Sequence, residues 1–180
     1  MKNSILPIAI FVTTLISSLQ LTAQEFKSLD KSPMDMAAFP SSYKISDKIV
    51  KVIYSRPQLK GRDLVKLAPP EKIWRTGANE AAEITFYKDV VFGGKALKSG
   101  TYSIFTIPSL NGDWTVIINR AKNVWGSYYY KQNQDVIRVF GKVTKTEKNI
   151  EAFSMMFDEN MTLKMGWGKT IISVPIEKTL

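Results

Sequence analysis

The stretch Lys72-Ile73-Trp74-Arg75-Thr76-Gly77-Ala78-Asn79-Glu80-Ala81 gathers a flat apolar ring, a fork-shaped cation, an amide and a carboxylate around one glycine. Two more arginines precede it, Arg56 in Tyr54-Ser55-Arg56-Pro57 and Arg62 in Lys60-Gly61-Arg62. A guanidinium suits carboxylate or phosphate because its parallel N–H groups match the geometry of those anions. An indole face suits a sugar ring or another arginine, and Asn79 can both donate and accept. Arg56, Arg62, Trp74, Arg75, Asn79 and Glu80 therefore form a candidate site for an anionic or hydroxylated, glycan-like ligand. The same residues also admit a purely structural reading. Arg75 and Glu80 can pair to clasp a long loop, Gly77 can supply a positive φ, and Trp74 can plug one end of a core.

Composition removes several reaction classes. The chain has no histidine and no cysteine. Ser-His-Asp and Cys-His machinery is thereby impossible, and ordinary zinc sites lose both preferred ligand types. There is no GxxxxGK[ST] sequence, and Phe92-Gly93-Gly94-Lys95 is too short for a dinucleotide fingerprint. No metal and no cofactor is expected. Carboxylate chemistry remains open: Glu80 with Glu83, Asp89 or Asp113 could supply the acid and base of a glycoside hydrolase. Asp158, Glu159 and Asn160 carry oxygens that suit calcium, but tight turns between strands use the same residue types.

The elements that must position these residues read as strands. Runs with a period near two occur at 48–54, 83–87, 90–92, 101–107, 113–119, 136–143, 150–157, 162–167 and 170–176. Gly93-Gly94 and Asn111-Gly112 sit between runs as hairpin signals. Trp114, Val116 and Ile118 alternate with Thr115, Ile117 and Asn119, and Phe153, Met155 and Phe157 share one face. Pro175 marks the last run as an edge strand. The pattern predicts an all-β domain, a single antiparallel β-sandwich of the jelly-roll or immunoglobulin-like type. Between the first two runs lies a long connection over residues 54–81, stiffened by Pro69-Pro70; long structured loops are often functional. Trp125-Gly126-Ser127-Tyr128-Tyr129-Tyr130 reads either as a stacking platform for sugars or as strand packing with one exposed ring.

Residues 1–23 read as a cleavable export signal, with Lys2 before an apolar run from Ile5 to Leu15 and small residues up to Ala23. The run is too short to span a bilayer core, so the mature chain is expected to lack a transmembrane segment. Residues 24–42, with Pro33 and Pro40, read as an irregular lead-in to a single domain over 43–180. The expected location is periplasmic or secreted. The formal charge is +9, with 25 Lys and Arg against 16 Asp and Glu. A basic surface favours anionic partners, but the lysines are spread rather than clustered, so nucleic acid is not an expected partner.

Several of these stretches, taken in order, carry a family resemblance. Tyr54 to Pro57, Lys60 to Arg62, Ile73 to Ala81, Ser99 to Pro108, Trp114 to Asn119 and Trp125-Gly126 resemble the signature of the DUF2911 domain family over about residues 32–176. The resemblance implies an exported bacterial protein and assigns no reaction. Two positions depart from the family pattern: Pro70-Glu71 stands where Tyr-Gly is usual, and Ala82 stands where many members carry threonine. The functional readings are a non-catalytic binding or envelope-associated module, a carbohydrate-active hydrolase, or a structural scaffold.

Overall fold

The computed structural model describes residues 26–179, so the export-signal expectation for 1–23 lies outside the described residues. The fold is all-β with two antiparallel sheets. The strands are β1 (Met34–Phe39), β2 (Val50–Ser55), β3 (Ala82–Phe86), β4 (Val90–Phe92), β5 (Lys95–Leu97), β6 (Gly100–Ile107), β7 (Trp114–Asn119), β8 (Asp135–Phe157), β9 (Leu163–Val174) and β10 (Ile176–Lys178). One short helix, α1 (Leu64–Leu67), lies in the long connection after β2.

Seven strands form one sheet in the order β1-β2-β3-β6-β7-β8-β9, and three form a second in the order β10-β4-β5. A jelly-roll or immunoglobulin-like sandwich needs Greek-key crossings between sheets of comparable size. Here the large sheet follows chain order and is interrupted only where β4 and β5 leave for the small sheet. It curls into an open half-barrel. Its concave face carries the core: Val52, Ile84, Ile104, Val116, Phe153, Leu163 and Trp167 are almost wholly buried. The small sheet adds Val90, Phe92, Leu97 and Ile176 to the same cluster.

Two features depart from the periodicity reading. Residues 34–39 belong to a strand, β1, paired with β2 from Met34↔Ser55 to Phe39↔Val50, so the lead-in is partly built into the sheet. The runs at 136–143 and 150–157 are one strand, β8; the run at 162–167 and most of that at 170–176 are one strand, β9, which stops at Val174 before Pro175 while Ile176 begins β10. The polar residues between the first pair look like a turn. They stay within the strand instead, as a bulge between the Lys145↔Thr170 and Ile150↔Gly168 pairings, with a second register shift between Ile150 and Ser154. Bulges of this kind bend a strand without ending it. The edge assignment drawn from Pro175 fits, since β9 and β10 each end a sheet.

The bend returns the far half of β8 to the end of β2. Phe153 N–H donates to Pro57 O at 2.9 Å and Leu59 N–H to Glu151 O at 3.0 Å. The Tyr54 hydroxyl donates to Met155 O at 3.2 Å and accepts from Met155 N–H at 2.8 Å. The Tyr54-to-Leu59 stretch is thus the seam that draws the half-barrel together.

Candidate functional site

Trp74 and Thr106 exchange backbone hydrogen bonds of 2.7 and 2.9 Å, and β3 rejoins β6 at Ala82↔Ile104. Only Phe105 lies between the two pairings on β6, while residues 75–81 lie between them on the other side. They leave the sheet as a closed loop, tied at its neck by Ala82 N–H to Arg75 O at 3.1 Å. Thr76 and Asn79 adopt left-handed φ of 55° and 58°. For the β-branched Thr76 this conformation is a genuine outlier. It is held in full burial, with its hydroxyl 3.3 Å from that of Thr106. Gly77 lies so close to β2 that a Cβ would stand 3.1 Å from Ser55 O.

The loop packs on the outer face of the large sheet. There Ala81, Phe105 and Ile117 form a second small core with Ile73, Val124 and Tyr130 against it. A second excursion, residues 120–134, lies beside the first. Ala81 N–H donates to Val124 O at 2.8 Å, Gly126 N–H donates to Asn79 O at 2.9 Å, and Glu80 bridges Trp125.

A polar network pins this second excursion to the sheet. Buried Asn119 donates to Asp135 at 2.7 Å and to Lys131 O at 3.1 Å, and accepts from Ala121 N–H at 2.9 Å. Arg138 Nε and the Tyr130 hydroxyl each donate to Asp135 Oδ2 at 2.7 Å, and Arg138 Nη2 donates to the Tyr130 hydroxyl at 2.6 Å. Burial, helped by the bond to Asp135, pushes the Tyr130 hydroxyl up to about 12. Its ring meets Phe105 edge-on at 5.1 Å. The excursion then presents three rings outward: Trp125 is 56% exposed, Tyr128 84% and Tyr129 71%. The Tyr128 ring lies over Gly126, whose φ is +66° and where a Cβ would sit 2.8 Å from that ring.

The structure divides the six residues singled out from sequence. Trp74 is in the core: its ring stacks on Trp167 at 5.3 Å and meets Phe153 at 5.0 Å and Trp114 at 6.3 Å edge-on. Arg56 sits at the seam, with Nη1 on Asp35 at 3.0 Å, Nη2 on Ser154 at 2.7 Å and Nε on Phe153 O at 3.1 Å. Arg62 closes its own turn through Leu59 O and Gln58 O, at 2.9 and 2.8 Å. Arg75, Asn79 and Glu80 remain together on the closed loop beside the exposed rings. Asn79 reaches Asp30 at 3.2 Å.

The Arg75–Glu80 pairing, one of the two readings of this stretch, is not formed. Glu80 is exposed and lines a cavity of about 280 Å³ with Met34, Ile53, Ser55 and Glu83. Arg75 takes part in no ion pair and no side-chain hydrogen bond among the described residues, and its Nε is buried without a partner. Burial lowers the affinity of its guanidinium for the proton, an effect opposed by the nearby Tyr128 hydroxyl. It nevertheless stays cationic at neutral pH.

The other acidic candidates have structural partners. Glu83 accepts Asn123 N–H at 2.6 Å, Asp89 accepts Ser99 N–H at 2.8 Å and Lys98 Nζ at 2.7 Å, and Asp113 accepts Val143 N–H at 2.8 Å. Asp158 shapes the turn before β9 by accepting from Asn160 and Thr162 N–H. Among the described residues no group of three or more Asp or Glu side chains is placed to hold a metal ion. No helix among them is long and apolar enough to cross a membrane.

A domed all-β scaffold carrying two interlocked surface loops defines the class of protein. The chain belongs to the family described as "Protein of unknown function (DUF2911)", whose model matches residues 32–176. No curated protein and no solved structure matches the chain.

The exposed aromatic loop was legible as a cluster, Trp125 to Tyr130, but its exposure was not. Alternation in a short aromatic run does not say which face is covered, and residues 120–134 leave the sheet altogether.

Proposed function

We propose that the protein is an exported, non-catalytic binding module for a hydroxylated or anionic, glycan-like ligand. Its site is the outer-face platform made by Trp125, Tyr128 and Tyr129 with Arg75, Asn79 and Glu80. The observation that carries this reading is the pairing of rigidity with exposure. Three aromatic rings face solvent on a loop anchored by the Asn119–Tyr130–Asp135–Arg138 network, when burying those rings would be favourable. Aromatic faces stack on the apolar faces of sugar rings, and fixed polar groups at the edge set orientation. The apolar, positively headed N-terminal stretch and the family's exported character support an extracytoplasmic location.

A hydrolase using Glu80 and Glu83 has weaker support. The two share a cavity, but Glu83 is committed to the backbone of Asn123, and inverting or retaining catalysis needs two carboxyl groups free to face one glycosidic bond.

Isothermal titration of the mature protein against a panel of neutral and acidic oligosaccharides tests the proposal. Binding to at least one class is expected, weakened tenfold or more by Trp125→Ala with Tyr128→Ala. Binding that survives the double substitution, or a panel with no binding at all, overturns it.

A further inference from the structure

The platform contains one group with an unmet demand. Arg75 differs from the other two arginines of the motif in having no acceptor within the described protein. Its Nε is buried with no acceptor among the described residues. Its Nη groups make no hydrogen bond among the described residues and are not among the buried, unpartnered atoms, which leaves them as the donors available to a partner. Arg56 and Arg62, by contrast, spend their donors on backbone carbonyls, Asp35 and Ser154. A half-buried guanidinium whose Nε has no protein acceptor among the described residues is costly to maintain, because burial removes part of its hydration without supplying a protein partner. The neighbouring loop geometry is also costly, with Thr76 in a left-handed conformation inside the protein. Strain of this kind persists where the surrounding structure over-determines it, and it concentrates at ligand sites.

Building on the binding reading above, we infer that the ligand is an acidic saccharide, and that Arg75 receives a sugar-ring carboxylate while Trp125 and Tyr128 stack on the ring carrying it. A planar carboxylate accepts two parallel N–H groups from the open end of the fork. The carboxylate supplies the acceptor that the protein lacks. A stacked ring beside it excludes water and strengthens the pair. The overall charge of +9 raises the local concentration of a polyanionic chain without choosing its chemistry. Recognition of the carboxylate is therefore assigned to one residue, and attraction of the polymer to the whole surface.

The test uses the full mature protein with oligogalacturonides as a representative uronate chain. Their methyl esters keep the ring and linkage but remove the charge. The acid should bind at least tenfold more tightly than the ester. Arg75→Lys keeps a charge but loses the fork, and should erase most of that difference; Arg75→Gln should erase all of it. Thermal melts of each variant confirm folding. Equal binding of acid and ester overturns the carboxylate assignment and leaves the binding-module reading standing. Tight binding of the acid that Arg75→Gln leaves unchanged, with a steep salt dependence, shows diffuse attraction by surface lysines and also overturns it. No binding of acid, ester or neutral glycans overturns both readings.

Discussion

Arg56 and Arg75 stand at the two ends of one connection and have opposite fates. Arg56 lies where the half-barrel draws together, and all three of its nitrogens have partners, drawn from β1 and β8. Arg75 lies on the convex side, has no partner among the described residues, and is half-buried beside exposed tyrosine. The seam is satisfied and the platform is not. An unsatisfied buried donor is rare in native structures and calls for a specific explanation, such as strain, a functional role, or a bound water or ion. The contrast places Arg56 in the holding of the fold and leaves Arg75 free for the proposed binding role.

Trp74, the residue before Arg75, gives the largest expected effect and anchors the structural end of the contrast. Its indole joins Trp114, Phe153 and Trp167 in the concave core. Trp74→Ala should cost about 3–5 kcal/mol in urea unfolding. A loss below about 1 kcal/mol would mean the ring is not part of the core.

Arg56→Ala should cost about 1–3 kcal/mol, chiefly from the orphaned Phe153 carbonyl and Ser154 hydroxyl. The pair with Asp35 adds little because both side chains are over a third exposed. Saccharide binding, measured by titration, should be unaffected. A fall in affinity as large as that of Arg75→Gln would erase the distinction between seam and platform.

The pinning of the platform can be read through pH. Tyr130 is raised from an ordinary 10.0 to about 12 in the folded protein. Between these values the folded state holds a proton that the unfolded chain has released. Its contribution is therefore complete below pH 10 and is lost as pH rises towards 12. Melting curves across that window should show a decline that Tyr130→Phe reduces. An identical decline in the variant would remove Tyr130 as the titrating group.

The smallest effect on stability is expected from Arg75→Ala. It deletes a buried donor that has no partner, so stability should change by less than about 0.5 kcal/mol or rise slightly, while acidic-saccharide binding disappears. A destabilisation equal to that of Arg56→Ala would restore the clasp reading and break the comparison.

Much of the scaffold was legible in the chain. Alternation in Trp114 to Asn119 and Phe153 to Phe157 marks the buried faces, because successive side chains in a strand point to opposite sides. The polar stretch 144–149 was opaque. Its composition matches a turn, and only the pairing with β9 on either side of a bulge carries it through as strand. For the site, the residue types around Gly77 were informative but their orientation was not. Trp74 and Arg75 are adjacent, so extended pairing of Trp74 with Thr106 sends them to opposite faces. Deciding which of them would be buried required the location of β6.

By itself the sequence determined the all-β class, the absence of histidine and cysteine chemistry, the net basic charge and the family. These follow from composition, period and ordered motifs, all of which are local properties. Tertiary structure decided that seven strands share one curled sheet, that Trp74 belongs to the core, and that Trp125, Tyr128 and Tyr129 join Arg75 on the surface. Those outcomes depend on contacts between segments 30 to 100 residues apart, such as Tyr54 with Met155 and Thr76 with Thr106. Local pattern cannot encode them, because the free energy that selects a face is set by whatever covers it.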